Sequence, residues 1–191
     1  MSAAFRVAAA QYDIGALGSW AVYEAKIRQW VANAASGGAQ LLVFPEYFSM
    51  ELASLYPEAI QKSLSHQLDA VQELLPAFER IFTQQSREHG VHIVAGSFPV
   101  RLTDGRFCNR AFLFQPDGQV DYQDKLQMTR FEKEQWFISA GESLKVFDTA
   151  LGRIGINICY DSEFPLLARQ QVEAGADVIL VPSCTDTLAG Y

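Results

Sequence analysis

The sequence predicts an α/β fold, with helices on the outer faces of buried strands. Three observations carry this. Apolar runs of strand length alternate with stretches whose apolar residues recur at helical spacing. The runs are apolar on both faces, as in strands covered from both sides. Glycine and proline punctuate the junctions between them.

Residues 5–11 are expected as a first, central strand. Gly15 and Gly18 mark a loop. Trp20, Tyr23, Ile27, Trp30, Val31 and Ala34 then define one helix face, with Glu24, Lys26 and Arg28 opposite and Ser36-Gly37-Gly38 as the stop. Residues 41–44 form a second buried strand, stopped by Pro45 and followed by Glu46. A short helix is expected at 50–55, and a long one at 65–89, broken or kinked at Pro76. Residues 91–96 read as a third strand. A hairpin follows: 109–115, a Pro116-Asp117-Gly118 turn, then 120–124, with Lys125 at its end. Residues 126–139 have no clean period and read as a long loop with one helical turn. Residues 144–147 and 153–158 are expected to pair. Cys159 ends the second of these, a helix follows at 164–174, and 177–181 is the last strand.

The 191 residues are expected to form one domain, 1–191, with no internal repeat or linker. A composition that is 49% hydrophobic and 19% charged excludes a disordered chain. A net charge of −7 without a basic stretch argues against nucleic acid as a partner. No apolar run approaches the roughly 18–20 residues of a membrane helix, and the first residues do not form a signal peptide. A soluble, cytoplasmic protein is expected. Cys108, Cys159 and Cys184 are odd in number and match no CxxC or zinc spacing. Reduced thiols are the simplest account, two of them inert, with no metal and no cofactor.

Glu46, Lys125 and Cys159 each stand where an expected strand ends. In open α/β sheets, ligands bind outside the carboxyl ends of strands, so the three are candidates for one pocket. Taken singly, each has an ordinary explanation: a solvated loop Glu, a surface Lys, a core Cys. Together they allow one chemistry. A thiol needs a base to become a nucleophile, and Glu46 can serve as that base and later activate water. Lys125 and the Tyr160 backbone N–H can stabilise a tetrahedral oxyanion. A Cys-His protease is the competitor, but His66 and His89 fall on the long helix and His92 inside a strand.

The stretches Leu42-Val43-Phe44-Pro45-Glu46, Tyr122-Gln123-Asp124-Lys125-Leu126 and Gly155-Ile156-Asn157-Ile158-Cys159-Tyr160-Asp161, followed by Glu163-Phe164-Pro165, resemble the nitrilase, or carbon-nitrogen hydrolase, superfamily. Gly175-Ala176-Asp177 with Pro182-Ser183 is similar to it as well. The resemblance implies an α-β-β-α sandwich and a Glu-Lys-Cys triad: Glu46 as base, Lys125 as oxyanion stabiliser, Cys159 as nucleophile. It implies a second pocket glutamate, for which Glu134 is the best match and Glu132 the rival. It also implies homodimers or larger homo-oligomers, and further strands beyond Tyr191, so that this chain lacks the C-terminal part of the fold.

Tyr160-Asp161 after the cysteine resembles amidases and carbamoyl hydrolases more than nitrile hydrolases, which have Trp-Glu there. The expected reaction is hydrolysis of a small amide or N-carbamoyl compound through a cysteine thioester. Nitrile hydrolysis on the same triad, or a non-catalytic or ammonia-supplying module of a larger assembly, is the alternative; a redox-sensing Cys159 would leave Glu46 and Lys125 unexplained. Tyr47, Phe48, Phe131, Trp136 and Phe137 lie near the catalytic segments and either line a pocket or merely pack. Arg130 either meets a substrate carboxylate or pairs with Glu132 or Glu134.

Overall fold

The computed structural model describes residues 4–185; residues 1–3 and 186–191 lie outside that range. β1 (Val7–Ala9) leads to α1 (Trp20–Ser36), capped by the Ser19 side chain, which accepts from the Val22 N–H. β2 (Leu41–Val43) is followed by a 3₁₀ segment (Phe48–Leu55), α2 (Glu58–Gln61), α3 (Leu64–Val71) and α4 (Leu75–His89). β3 (His92–Val94), β4 (Phe98–Arg101), β5 (Phe107–Phe114) and β6 (Val120–Asp124) come next. The chain continues through α5 (Arg130–Glu134), β7 (Ile138–Ser139), β8 (Val146–Thr149) and β9 (Gly152–Ile156). A 3₁₀ turn (Cys159–Glu163), α6 (Pro165–Glu173) and β10 (Val178–Leu180) complete it.

The strands form two sheets. The larger runs β1-β2-β3-β5-β4, with β6 and β7 also paired to β5; the smaller runs β10-β9-β8. β1, β2 and β3 are parallel, whereas β5 runs antiparallel to β3, β4 and β6. β10 lies parallel to β9, and β8 antiparallel.

Side-chain alternation separates two cores. Leu42, Phe44, Ile93, Phe112 and Phe114 turn toward Tyr23, Ile27, Val31, Phe78 and Phe82 of α1 and α4. Their neighbours Leu41, Val43, Val94, Ala111 and Leu113 turn the other way, against Phe147, Ile154, Ile156, Ile158 and Leu180 of the smaller sheet. A period of two in each strand thus places one apolar set under the helices and the other between the sheets. α6 covers the smaller sheet: Gln171 is buried, and its amide donates to the carbonyls of Ile156 and Lys145. The layers run α-β-β-α, as the resemblance implied.

Two expectations change and one is narrowed. The first strand is marginal rather than central, and Val7 is 44% exposed. Apolar composition alone does not distinguish a middle strand from one at a sheet's margin. The long helix is broken, not kinked: α3 ends at Val71, a 3₁₀ turn spans Gln72–Leu74, and Pro76 sits in the first turn of α4, where its missing N–H costs nothing. β4 was not expected. It contains Pro99 and lies at the end of the strand order, where a strand without one ladder donor is tolerated.

Candidate active site

Glu46 follows β2 across Pro45. The turn is tight: Gly96 has φ +50°, and a Cβ there would come within 1.9 Å of the Pro45 carbonyl. Glycine is therefore required at 96 to let the turn carrying Glu46 approach the end of β3. The next residue, Tyr47, is left-handed at φ 54°, and its N–H donates to Ser97 Oγ at 2.9 Å. Lys125 ends β6, its N–H donating to the Asn109 carbonyl on β5 at 2.8 Å.

These elements place an ammonium between two carboxylates. Lys125 Nζ donates to Glu46 Oε1 and to Glu132 Oε2, each at 2.7 Å. All three side chains are buried, Lys125 to 1% exposure. Asn109, wholly buried on β5, donates from Nδ2 to Glu46 Oε1 at 2.9 Å and to Glu132 Oε1 at 3.2 Å. Its Oδ1 has no hydrogen-bond partner among the described residues.

The second pocket glutamate is Glu132, not Glu134. Glu132 is 2% exposed, whereas Glu134 points outward and pairs with Arg130 at 2.9 Å. Two residues apart on a helix of 3.6 residues per turn are about 200° apart, so only one can face inward. A capping box decides which. Thr129 Oγ1 accepts from the Glu132 N–H, and Glu132 Oε2 accepts from the Thr129 N–H at 2.9 Å. The Thr129-x-x-Glu132 pattern was the signal that loop alignment overlooked. Arg130 takes the surface ion pair, its side chain 87% exposed. Trp136 stacks edge-on against Tyr47 at 4.7 Å, and the Tyr47 hydroxyl donates to Glu132 Oε1 at 2.8 Å, so Trp136 braces the cluster from behind. Phe131 and Phe137 are exposed. Arg130, Glu134 and Tyr160 line a surface depression of about 490 Å³ whose walls do not include Glu46, Lys125, Glu132 or Cys159.

The environment separates the two carboxylates. Burial raises both, but Lys125, the Thr129 N–H and the Tyr47 hydroxyl outweigh it at Glu132, whose pKa is lowered. At Glu46 burial wins over Lys125, with the Glu132 charge adding to it, and the pKa is raised. Burial also disfavours the Lys125 ammonium, yet the two carboxylates outweigh it and its pKa is raised. Glu132 is the fixed anion and Glu46 the group able to take a proton.

Cys159 stands where β9 gives way to the 3₁₀ turn. Its N–H donates to the Pro182 carbonyl at 2.9 Å, and its Sγ lies 3.7 Å from the Cys184 carbonyl oxygen. Its φ of 48° is left-handed, a conformation that costs a non-glycine residue on the order of 1–3 kcal/mol and is held only by its surroundings. The side chain is half-buried. Burial and then the negative charge of the nearby Glu46 carboxylate raise the thiol's pKa. The raised pKa favours the neutral thiol as the resting form. Cys108 is buried, with its pKa pushed up to about 12 by burial and then by Asp124. His92 is buried in β3, and His66 and His89 lie on α3 and α4.

Asp161 escaped the sequence reading except as a marker of substrate class. It is 1% exposed and faces inward. Its Oδ1 accepts from the N–H groups of Leu126 at 3.1 Å and Gln127 at 2.7 Å, and its Oδ2 from that of Ile158 at 3.1 Å.

A model of the carbon-nitrogen hydrolase family matches residues 6–189. Among curated proteins, a probable hydrolase, YhcX of Bacillus subtilis, is 36% identical over 186 residues, covering 97% of this chain and 36% of that protein. Omega-amidase NIT2-B of Xenopus laevis is 27% identical over 173 residues, covering 84% of this chain and 57% of its own length. This chain thus spans between about a third and somewhat over half of these relatives' length. Among solved structures, an amidase from Nesterenkonia sp. superposes with a TM-score of 0.77 at 24% identity, covering 96% of this chain and 66% of that one. The last likeness establishes the fold. No helix among the described residues is long and apolar enough to cross a membrane.

Proposed function

This chain belongs to the carbon-nitrogen hydrolase family, and from that premise we propose that it hydrolyses a small amide or N-carbamoyl compound through a thioester on Cys159. One observation carries the proposal. A strained, half-buried thiol lies near a carboxylate of raised pKa, and that carboxylate shares one buried ammonium with a second carboxylate of lowered pKa. The omega-amidase names of several curated relatives support an amide substrate.

Glu46 takes the thiol proton as sulfur attacks the carbonyl carbon. The oxyanion is stabilised by Lys125 Nζ and the Tyr160 N–H. When the intermediate collapses, the carbon–nitrogen bond breaks and the proton on Glu46 passes to the leaving nitrogen, releasing ammonia or an amine. Glu46 then takes a proton from water as it attacks the thioester; carboxylic acid leaves and the thiol is restored. Glu132 keeps Lys125 charged throughout. Self-association is part of the proposal, supported by the exposed Leu166 and Val172 on α6.

An ammonia-release assay over ω-amides, N-carbamoyl compounds, aliphatic amides and nitriles tests this. Turnover of an amide or carbamoyl compound with an acyl adduct on Cys159, seen by intact mass and peptide mapping, is the expected result. An adduct on Cys108 or Cys184, or turnover of nitriles alone, overturns it.

A further inference from the structure

Asp161 lies in the same turn as the nucleophile but does not face the cluster as a reactive group. Its carboxylate is spent on backbone donors from two distant segments. Leu126 and Gln127 directly follow Lys125, and both donate to Oδ1, at 3.1 and 2.7 Å. Ile158 directly precedes Cys159 and donates to Oδ2, at 3.1 Å. The Asp161 N–H donates in turn to the Ile158 carbonyl at 3.1 Å, closing the turn on itself. One buried side chain therefore joins the segment carrying the ammonium to the segment carrying the thiol.

We infer that Asp161 is a positioning residue that locks the Lys125 loop and the Cys159 turn into one register, so that ammonium and thiol keep a fixed separation through acyl transfer. The inference rests on the hydrolytic reading above.

The choice of residue supports it. A buried carboxylate is costly, and burial raises this one's pKa against the pull of its N–H donors. Ordinary turn closure needs only a single acceptor, which Asn or Ser supplies. Gripping donors with both oxygens at once needs a group that only accepts, and an ionised carboxylate is that group. Asparagine at 161 would present an NH₂ to donors on one of the two sides. The left-handed Cys159 also needs outside restraint, and the Ile158 N–H bond to Asp161 supplies it on the preceding residue, as the Cys159 N–H bond to Pro182 does on the nucleophile itself. Leu126 and Gln127 lie outside helix and strand, so the bond to Asp161 is what orders their amides.

The test combines the unaltered protein with Asp161→Asn and Asp161→Ala. In the unaltered protein, hydrogen exchange should find the amides of Leu126 and Gln127 protected, opening together with that of Ile158. In Asp161→Asn, one side of the tether should lose protection. The kcat for ammonia release should then fall roughly 10- to 100-fold, the scale expected for a misplacement of about 1 Å, with KM near its original value. Asp161→Ala should fall further. The pH profile of Cys159 alkylation by iodoacetamide should relax toward that of an ordinary thiol in both variants. Unprotected Leu126 and Gln127 amides in the unaltered protein would overturn the inference, and this result needs no variant to fold. So would an Asp161→Asn protein with a lower melting temperature but unchanged kcat and alkylation profile, since Asp161 would then only stabilise. If no amide is turned over by the unaltered protein, the hydrolytic reading fails alone, and exchange with alkylation still decides the role of Asp161.

Discussion

Glu46 and Glu51 are both buried carboxylates that receive a lysine, and they stand five positions apart in the sequence. Their surroundings differ. Glu51 has its valences filled: Oε1 accepts from the Gly15 N–H and Lys26, and Oε2 from the Tyr12 hydroxyl at 2.6 Å. It faces one lysine, whose side chain keeps 24% exposure, and among the described residues no second carboxylate pairs with that lysine. At Glu46, one fully buried ammonium serves two carboxylates, an asparagine oxygen lacks a partner, and a strained thiol stands alongside. A balanced, saturated cluster ties α1 to the 3₁₀ segment and has nothing left to do. A cluster with excess negative charge and a spare acceptor has a carboxylate able to move a proton. The contrast shows that burial of a Lys–Glu pair is not itself a mark of function.

The largest effect expected at the reactive cluster is for Cys159→Ala, which should lower kcat for the best amide by at least about 10⁴ with the fold retained; circular dichroism with an ammonia assay reads both. Next comes Lys125→Ala, with a rate loss of about 10²–10³ from the missing oxyanion partner and a stability loss of about 3–5 kcal/mol from the stranded carboxylates. Glu46 and Glu132 then face each other without a cation. Chemical denaturation should find the variant gaining stability as pH falls and they protonate. In the unaltered protein the Glu132 contribution runs the other way, because its lowered pKa contributes stability above the unfolded carboxylate value that disappears as pH falls through the folded one.

Glu51→Gln is the counterpart at the saturated cluster. It should cost about 1–3 kcal/mol of stability while the folded fraction keeps its kcat. A matching loss of turnover would erase the distinction between the clusters. The pH profile sharpens it further. Glu46 must be ionised to accept the thiol proton, so kcat/KM should fall on acidification through a pKa above the ordinary Glu value of about 4.3. That limb should be absent from the residual activity of Glu46→Gln. The smallest effect belongs to Glu134→Gln, which breaks only an exposed pair with Arg130 and should change stability by less than about 0.5 kcal/mol.

Much of the site was legible because its chemistry sits at strand ends. Glu46, Lys125 and Cys159 each follow a strand, and the structure joins Glu46 to Lys125 by a hydrogen bond, with the Glu46 charge felt at the Cys159 thiol. The choice between Glu132 and Glu134 was not legible by loop alignment. It depended on which face of a five-residue helix points inward. Asn109 read only as the start of a hairpin arm, and Asp161 as a hint about substrate. Their roles depend on what lies across the sheet or the turn, and adjacency in sequence carries no trace of it.

By itself the sequence determined the alternation of strands and helices and picked out Glu46, Lys125 and Cys159 as candidates at strand ends. Those are properties of local pattern and side-chain type. Only the tertiary structure decided that one ammonium would sit between two carboxylates, that Glu132 would be the second of them, and that β1 would lie at a margin. Each follows from the packing of segments far apart in the chain. The electric field at Glu46, and so its readiness to take a proton, is set by which charges that packing brings near and how much water it removes.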